Sequence, residues 1–251
     1  MSCLGSNIVI ASGLNARPNL PRLAACSTKL RRQSSRRFVR ARSSLEGGPT
    51  TISEVKQKVV KLCKDAPGNG VDASSEMRVQ IAEALMPLEK QNPTAKPASE
   101  DAAALDGIWR LEYTTTQGNS AGKLGPFVGE VTQEVDISGK KYVNCVRLGT
   151  FLSLVLSADW KVLNDVTWKV IFKTLQVKMF GFVLKEIEFP PSATGLWRMS
   201  YVDSDLRILW TRGSTPKKSE GTEAGDEVEL NSGESVFVLR KVAEQASWVA
   251  K

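Results

Sequence analysis

Gly107-Ile108-Trp109-Arg110-Leu111-Glu112-Tyr113-Thr114-Thr115-Thr116 is the stretch that decides the fold. Trp109, Leu111 and Tyr113 fall on one side of an extended chain, with Arg110 and Glu112 on the other. That is the period-2 alternation of a half-buried strand. Residues 128–137 repeat it, setting Val131, Gln133 and Val135 against Thr132, Glu134 and Asp136. Gly139-Lys140 then turns the chain into 141–148, which predicts a hairpin. Further strand-like runs occupy 151–159, 166–175, 177–182, 196–202, 206–212 and 235–242. Eight or nine short strands at this spacing predict a mainly β, antiparallel domain over 105–242, and a small up-and-down barrel fits best. Barrels of about eight strands are either filled by their own side chains or hold one small ligand.

Upstream, the period changes. Thr51-Ile52-Ser53-Glu54 has capping-box spacing, and Ile52, Val55, Val59, Leu62 and Cys63 follow at helical intervals. Pro67-Gly68-Asn69-Gly70 reads as a turn. A second helix over 74–91 places Met77, Ile81, Ala84, Leu85 and Leu88 on one face, and Pro93 and Pro97 end it in a linker. Two helices and a linker therefore fill 46–104. Sixteen of the seventeen aromatic residues lie beyond Leu105, so the main core is expected there.

Charge is unevenly placed along the 251 residues. The net +7 comes from the first 45, which hold eight Arg, one Lys, eight Ser and no acid before Glu46. Arg-rich, Ser-rich and acid-poor is the composition of an organelle transit peptide. A basic arm for RNA is the rival reading, but Phe38 is the sole aromatic available for stacking there. Without this leader, 25 basic residues face 27 acidic ones, which argues against nucleic acid as a partner. Residues 213–235 are rich in Ser, Thr, Gly and charge and read as a flexible insertion, with 243–251 as a tail.

The chain contains no His, which removes Ser-His-Asp and Cys-His nucleophile systems, His-ligated zinc and imidazole acid–base chemistry. Four Cys, at 3, 26, 63 and 145, show no CxxC spacing, and Cys63 and Cys145 read as unpaired core thiols. Catalytic residues, a metal site and a cofactor are therefore not expected; Glu130, Glu134 and Asp136 are the nearest approach to paired acids.

Four residues stand out as ligand contacts. Trp109 and Tyr113 line either an apolar ligand cavity or an ordinary barrel core. Gln133 points inward by alternation, to orient a ligand carbonyl or to bond barrel backbone. Asp203, Asp205 and Arg207 form either a structural ion pair at a strand end or, through Arg207, a grip on an acidic head group. Phe180-Gly181-Phe182-Val183-Leu184 and Phe189-Pro190-Pro191 set aromatics beside turns, to dip into a lipid monolayer or to cover an open barrel end.

Three segments in order carry a family resemblance. They are Leu105-Asp106-Gly107-Ile108-Trp109-Arg110-Leu111-Glu112-Tyr113-Thr114-Thr115, then Gly129-Glu130-Val131-Thr132-Gln133-Glu134-Val135-Asp136, then Tyr201-Val202-Asp203-Ser204-Asp205-Leu206-Arg207-Ile208 with Arg212-Gly213 and Val236-Phe237-Val238-Leu239-Arg240. Together with the two helices and the leader, they resemble the plastid lipid-associated proteins, also called plastid fibrillins. The chain departs from the pattern in the insertion after Gly213 and in Val202, where Leu is more typical. The resemblance implies a lipocalin-like barrel, a chloroplast address and association with thylakoids or plastoglobules. It further implies a non-enzymatic role in binding a hydrophobic plastid lipid or isoprenoid, such as a quinone or carotenoid. A scaffold for a plastid enzyme of prenylquinone or lipid metabolism, and a small lipid isomerase or cyclase, are the competing classes.

Overall fold

The structure is a computed structural model and describes residues 51–213 and 233–242. The expected leader over 1–45, the tail over 243–251 and residues 214–232 of the expected insertion lie outside the described residues.

Helix α1 (Ile52–Asp65) starts as its sequence dictates. Thr51 Oγ1 accepts from the Glu54 amide, and Glu54 Oε2 accepts from the Thr51 amide at 2.8 Å, which completes the capping box. A short turn, Pro67–Gly70, leads to α2 (Ser75–Glu89), whose N-cap Ser74 accepts from the Met77 amide. The strands follow: β1 (Gly107–Thr114), the two-residue β2 (Lys123–Leu124) and β3 (Phe127–Val128), then β4 (Glu130–Asp136) and β5 (Lys141–Leu148). After them come β6 (Leu152–Asn164), β7 (Thr167–Met179), β8 (Phe182–Glu188), β9 (Thr194–Val202), β10 (Leu206–Gly213) and β11 (Ser235–Val242).

Eight strands close an antiparallel barrel in the order β1-β4-β5-β6-β7-β9-β10-β11, and β11 returns to pair with β1. The up-and-down barrel read from alternation is what the chain forms. β8 is a ninth strand outside the closed ring. It pairs with residues 174–179 of β7, while residues 167–171 of β7 pair with β9. The runs 166–175 and 177–182, read as two strands, are corrected to one continuous β7, because Gln176 keeps its pairing to both neighbours and the chain reverses at Phe180-Gly181.

Two cores result. Inside the barrel, Trp109, Leu111, Val131, Val135, Tyr142 and Trp168 pack with their neighbours. Outside it, the helices lay Val59, Cys63, Ile81, Leu85 and Leu88 against the outer faces of β1, β9, β10 and β11, where Tyr113, Tyr201, Leu206, Ile208 and Val238 meet them. Trp210 Nε1 donates to Glu89 at 2.6 Å and ties α2 to β10.

One end of the barrel is plugged by the linker. Ala98 and Leu105 are fully buried there. Trp168 Nε1 donates to the Ala98 carbonyl and Trp109 Nε1 to the Leu105 carbonyl, both at 2.8 Å. Trp160 stacks on Trp168 with ring centroids 4.6 Å apart. Buried indoles need an acceptor for their N–H, and the linker supplies it.

Candidate functional site

At the end opposite the plug, a cavity of about 180 Å³ enters the barrel. Thr116, Ser120 and Gly213 lie at its mouth, Leu156, Phe172, Trp197 and Phe237 form apolar walls, and Gln133, Tyr142, Asn144, Thr211 and Arg212 supply its polar groups. Barrel register explains the grouping. Gln133 on β4 is the cross-strand partner of Trp109 on β1 and of Asn144 on β5, so the three share the inner face at one level.

Arg207 enters the same interior from β10 and is 1% exposed. Its Nη2 donates to Gln133 Oε1, and its guanidinium carbon sits 5.0 Å from the centre of the Trp109 ring. Burial pulls this guanidinium down to about 10, with the nearby Tyr142 acting in the opposite sense. The Tyr142 hydroxyl is pushed up by its own burial, so it stays protonated. Trp109, Gln133 and Arg207 are thus brought together inside the barrel.

Tyr113 is not with them. β1 carries a β-bulge in which Leu111 pairs with Leu239 and Tyr113 with Val238, leaving Glu112 as the extra residue. The extra residue reverses the alternation, so the expectation that Tyr113 shares the Trp109 face is corrected. Its ring packs under the helices instead, beside Gly70. The expected pairing of Arg207 with Asp203 and Asp205 is corrected as well. Both acids lie at the β9–β10 turn on the outside, where Lys56 of α1 bonds each of them, at 2.7 Å to Asp203. Tyr201 donates its hydroxyl to Asp203 at 2.6 Å, and the amides of Asp205 and Leu206 donate to its other oxygen. Burial alone would raise the Asp203 carboxyl, but these donors override it and hold it at about 2. This cluster fastens α1 to the barrel.

Sequence reasoning passed over Asn144 and Lys56. Asn144 was accessible through register, since it alternates with Tyr142 and Val146 on β5. Lys56 carries no local signal, because its partners lie about 150 positions downstream.

The second feature beside the open end is an apolar tip. β7 outruns β9, and its hairpin with β8 carries Phe180, 70% exposed, and Phe182, 75% exposed, together with Val183 and Leu184. The Phe180 amide donates to the Phe151 carbonyl at 2.7 Å, which brings the exposed Phe151 of the β5–β6 turn alongside. Phe180 and Gly181 both have positive φ, +49° and +85°, as a two-residue hairpin turn requires. Gly is at ease there, whereas an aromatic residue costs about 1–2 kcal/mol. The tip segments 149–153 and 178–185 contain Lys178 and Lys185 and no acid. Among the described residues, no helix is long and apolar enough to cross a membrane.

The PAP_fibrillin family model matches residues 53–216, from the first helix through β10. The chain belongs to the PAP_fibrillin family. Relatives within reach of its sequence are plastid proteins. Chromoplast-specific carotenoid-associated protein C1 of an Oncidium hybrid cultivar is 29% identical over 133 residues, 48% of this chain and 40% of that one. Its C2 counterpart is 29% identical over 127 residues, covering 46% and 38%. The chloroplastic plastid lipid-associated protein 1 of Brassica campestris is 32% identical over 112 residues, covering 41% and 34%. The chain therefore spans well under half the length of these curated relatives. The matched residues take in the helices and every barrel strand except β11.

Proposed function

We propose that this protein is a non-enzymatic, lipid-associated plastid protein that docks on thylakoid or plastoglobule surfaces through its Phe151–Phe180–Phe182 tip and takes a hydrophobic molecule into the open end of the barrel. The carrying observation is Phe180, an aromatic side chain held out into solvent from a turn position that disfavours it. Backbone strain of this kind persists where function repays it. An exposed apolar cluster that carries Lys178 and Lys185, with the first acid, Glu186, further from the turn, matches the interior and head-group layers of a lipid surface carrying negative charge. The relatives' names, which speak of carotenoid and lipid association, support the same direction. At about 180 Å³, the cavity is smaller than the ~300–1,000 Å³ of pockets that enclose a whole drug-sized ligand. A long isoprenoid or quinone is therefore admitted in part, with the remainder left in the lipid.

The test is flotation of the protein with phosphatidylcholine vesicles, with and without phosphatidylglycerol, for wild type and for Phe182→Ser/Leu184→Ser. The wild type floats, more strongly with phosphatidylglycerol, and the double variant stays at the bottom. Equal flotation of the two proteins would sink the docking reading.

A further inference from the structure

Arg207 is a fully buried charge with little to compensate it. Removing a guanidinium from water costs several kcal/mol unless an anion and hydrogen bonds replace the solvent. Here the guanidinium receives a neutral amide oxygen from Gln133 and the face of Trp109. Its Nε has no hydrogen-bond partner, and among the described residues no carboxylate pairs with it. Asp203 and Asp205 are engaged by Lys56 on the outside, and Glu134 and Asp136 stand on the outer face of β4.

Arg207 is not among the residues that line the cavity; it stands behind Gln133, which does. Gln133 both holds Arg207 and lines the cavity, and Asn144, its cross-strand neighbour, lines it with a buried Oδ1 that lacks any partner. A carboxamide turned over exchanges oxygen for nitrogen without changing shape, so Asn144 can present a donor to the cavity as readily as an acceptor. An unsatisfied amide on the void and a poorly compensated guanidinium behind Gln133, across from the apolar Leu156, Phe172, Trp197 and Phe237, describe a site built for a polar head on an apolar body.

We infer that the barrel binds a long-chain monocarboxylate, with the carboxylate at the Gln133–Asn144 end of the cavity, in the field of Arg207 behind Gln133, and the hydrocarbon chain running out between Phe172, Trp197 and Phe237. This rests on the reading that the barrel admits a hydrophobic molecule, and it names the head group. A neutral quinone or alcohol would leave the guanidinium uncompensated, whereas one carboxylate matches its single charge. A void of about 180 Å³ takes the head and the first methylenes, leaving the rest of the chain at the mouth.

Calorimetric titration of the full chain with dodecanoate, dodecanol and methyl dodecanoate tests the assignment. Dodecanoate should bind about tenfold or more tightly than the alcohol or ester, the ratio expected when a charge-assisted hydrogen bond is gained. Arg207→Met should erase that preference while leaving the alcohol's affinity within about twofold. Because that variant is at risk of misfolding, carbon-13 NMR of carboxyl-labelled dodecanoate on the wild type gives an independent reading. The bound carboxylate should stay ionised to lower pH than the free acid. Equal affinities, or a bound carboxyl titrating with the free one, would overturn the head-group assignment alone. Failure of all three ligands to bind would overturn it together with the barrel half of the proposed function.

Discussion

Phe180→Asn separates docking from folding, because the two should move in opposite directions. Asn tolerates the positive φ that Phe180 adopts at +49°. Relief of that strain should stabilise the protein by about 0.5–1 kcal/mol. Docking should weaken. Full burial of a Phe side chain contributes about 1.5–3 kcal/mol. Phe180 is 70% exposed before docking, so about 1–2 kcal/mol of that remains to be gained on a lipid surface. Its loss corresponds to about a 5- to 30-fold weaker vesicle affinity. Urea unfolding followed by tryptophan fluorescence reads the first effect, and vesicle titration reads the second. Val79→Asn serves as control, since Val79 is exposed on α2 away from the tip and should change vesicle affinity by less than about twofold. Unchanged vesicle affinity in Phe180→Asn, or a variant less stable than wild type, would refute the reasoning.

Two further outcomes follow from the packing of the helices on the barrel. Asp203 is held at about 2, below the ordinary 3.8, so its contribution is fully present above pH ~4 and is lost as pH falls toward 2. Wild type should therefore lose about 2 kcal/mol across that window relative to Asp203→Asn, measured by urea midpoints from pH 5 down to pH 2; parallel curves would contradict the Lys56–Asp203 link. Gly70→Ala should cost about 2 kcal/mol or more, because Gly70 has φ +95° and an added Cβ would come within 2.5 Å of the Thr114 carbonyl and 2.6 Å of the Tyr113 ring; a midpoint matching wild type would show that this contact yields freely.

What could be read from the sequence was what is decided locally. The Thr51–Glu54 capping box and the strand alternation through β4 and β5 each depend on residues a few positions apart, and each formed as read. The misreadings have a common physical source. Glu112 carries no mark of a bulge; it becomes the extra residue because Trp109 must fill the barrel while Tyr113 must meet α1 and the Pro67–Gly70 turn, and one residue out of phase serves both. Arg207 was paired with the nearest acids in sequence, yet its strand directs odd positions inward from Arg207 to Leu209 and even ones, Leu206 and Ile208, toward the helices. A charged residue at an inward position is invisible to a polarity pattern that assumes charge faces water.

That same inward charge gives the barrel its direction. The plugged end holds Trp109, Trp160 and Trp168 with every described indole N–H of the two buried rings satisfied by linker carbonyls, an arrangement that favours stability and leaves no room for a guest. The open end holds the void, the unpartnered Asn144 Oδ1 on its wall and, beyond β9, the apolar tip, while Arg207 lies further in, against Trp109 and Gln133. Natural interiors satisfy nearly all buried polar groups, so an unpartnered amide on this void with a poorly compensated guanidinium behind it is costly unless a guest completes them. A guest drawn from a lipid surface would leave its chain last, and the tip lies where that chain emerges. Docking and binding therefore make opposite demands on substitutions: changes at Phe180 and Phe182 should alter delivery without altering head-group preference, and changes at Arg207 should alter preference without altering docking. Measuring both quantities on both sets of variants distinguishes a barrel that loads from a surface from one that merely rests on it.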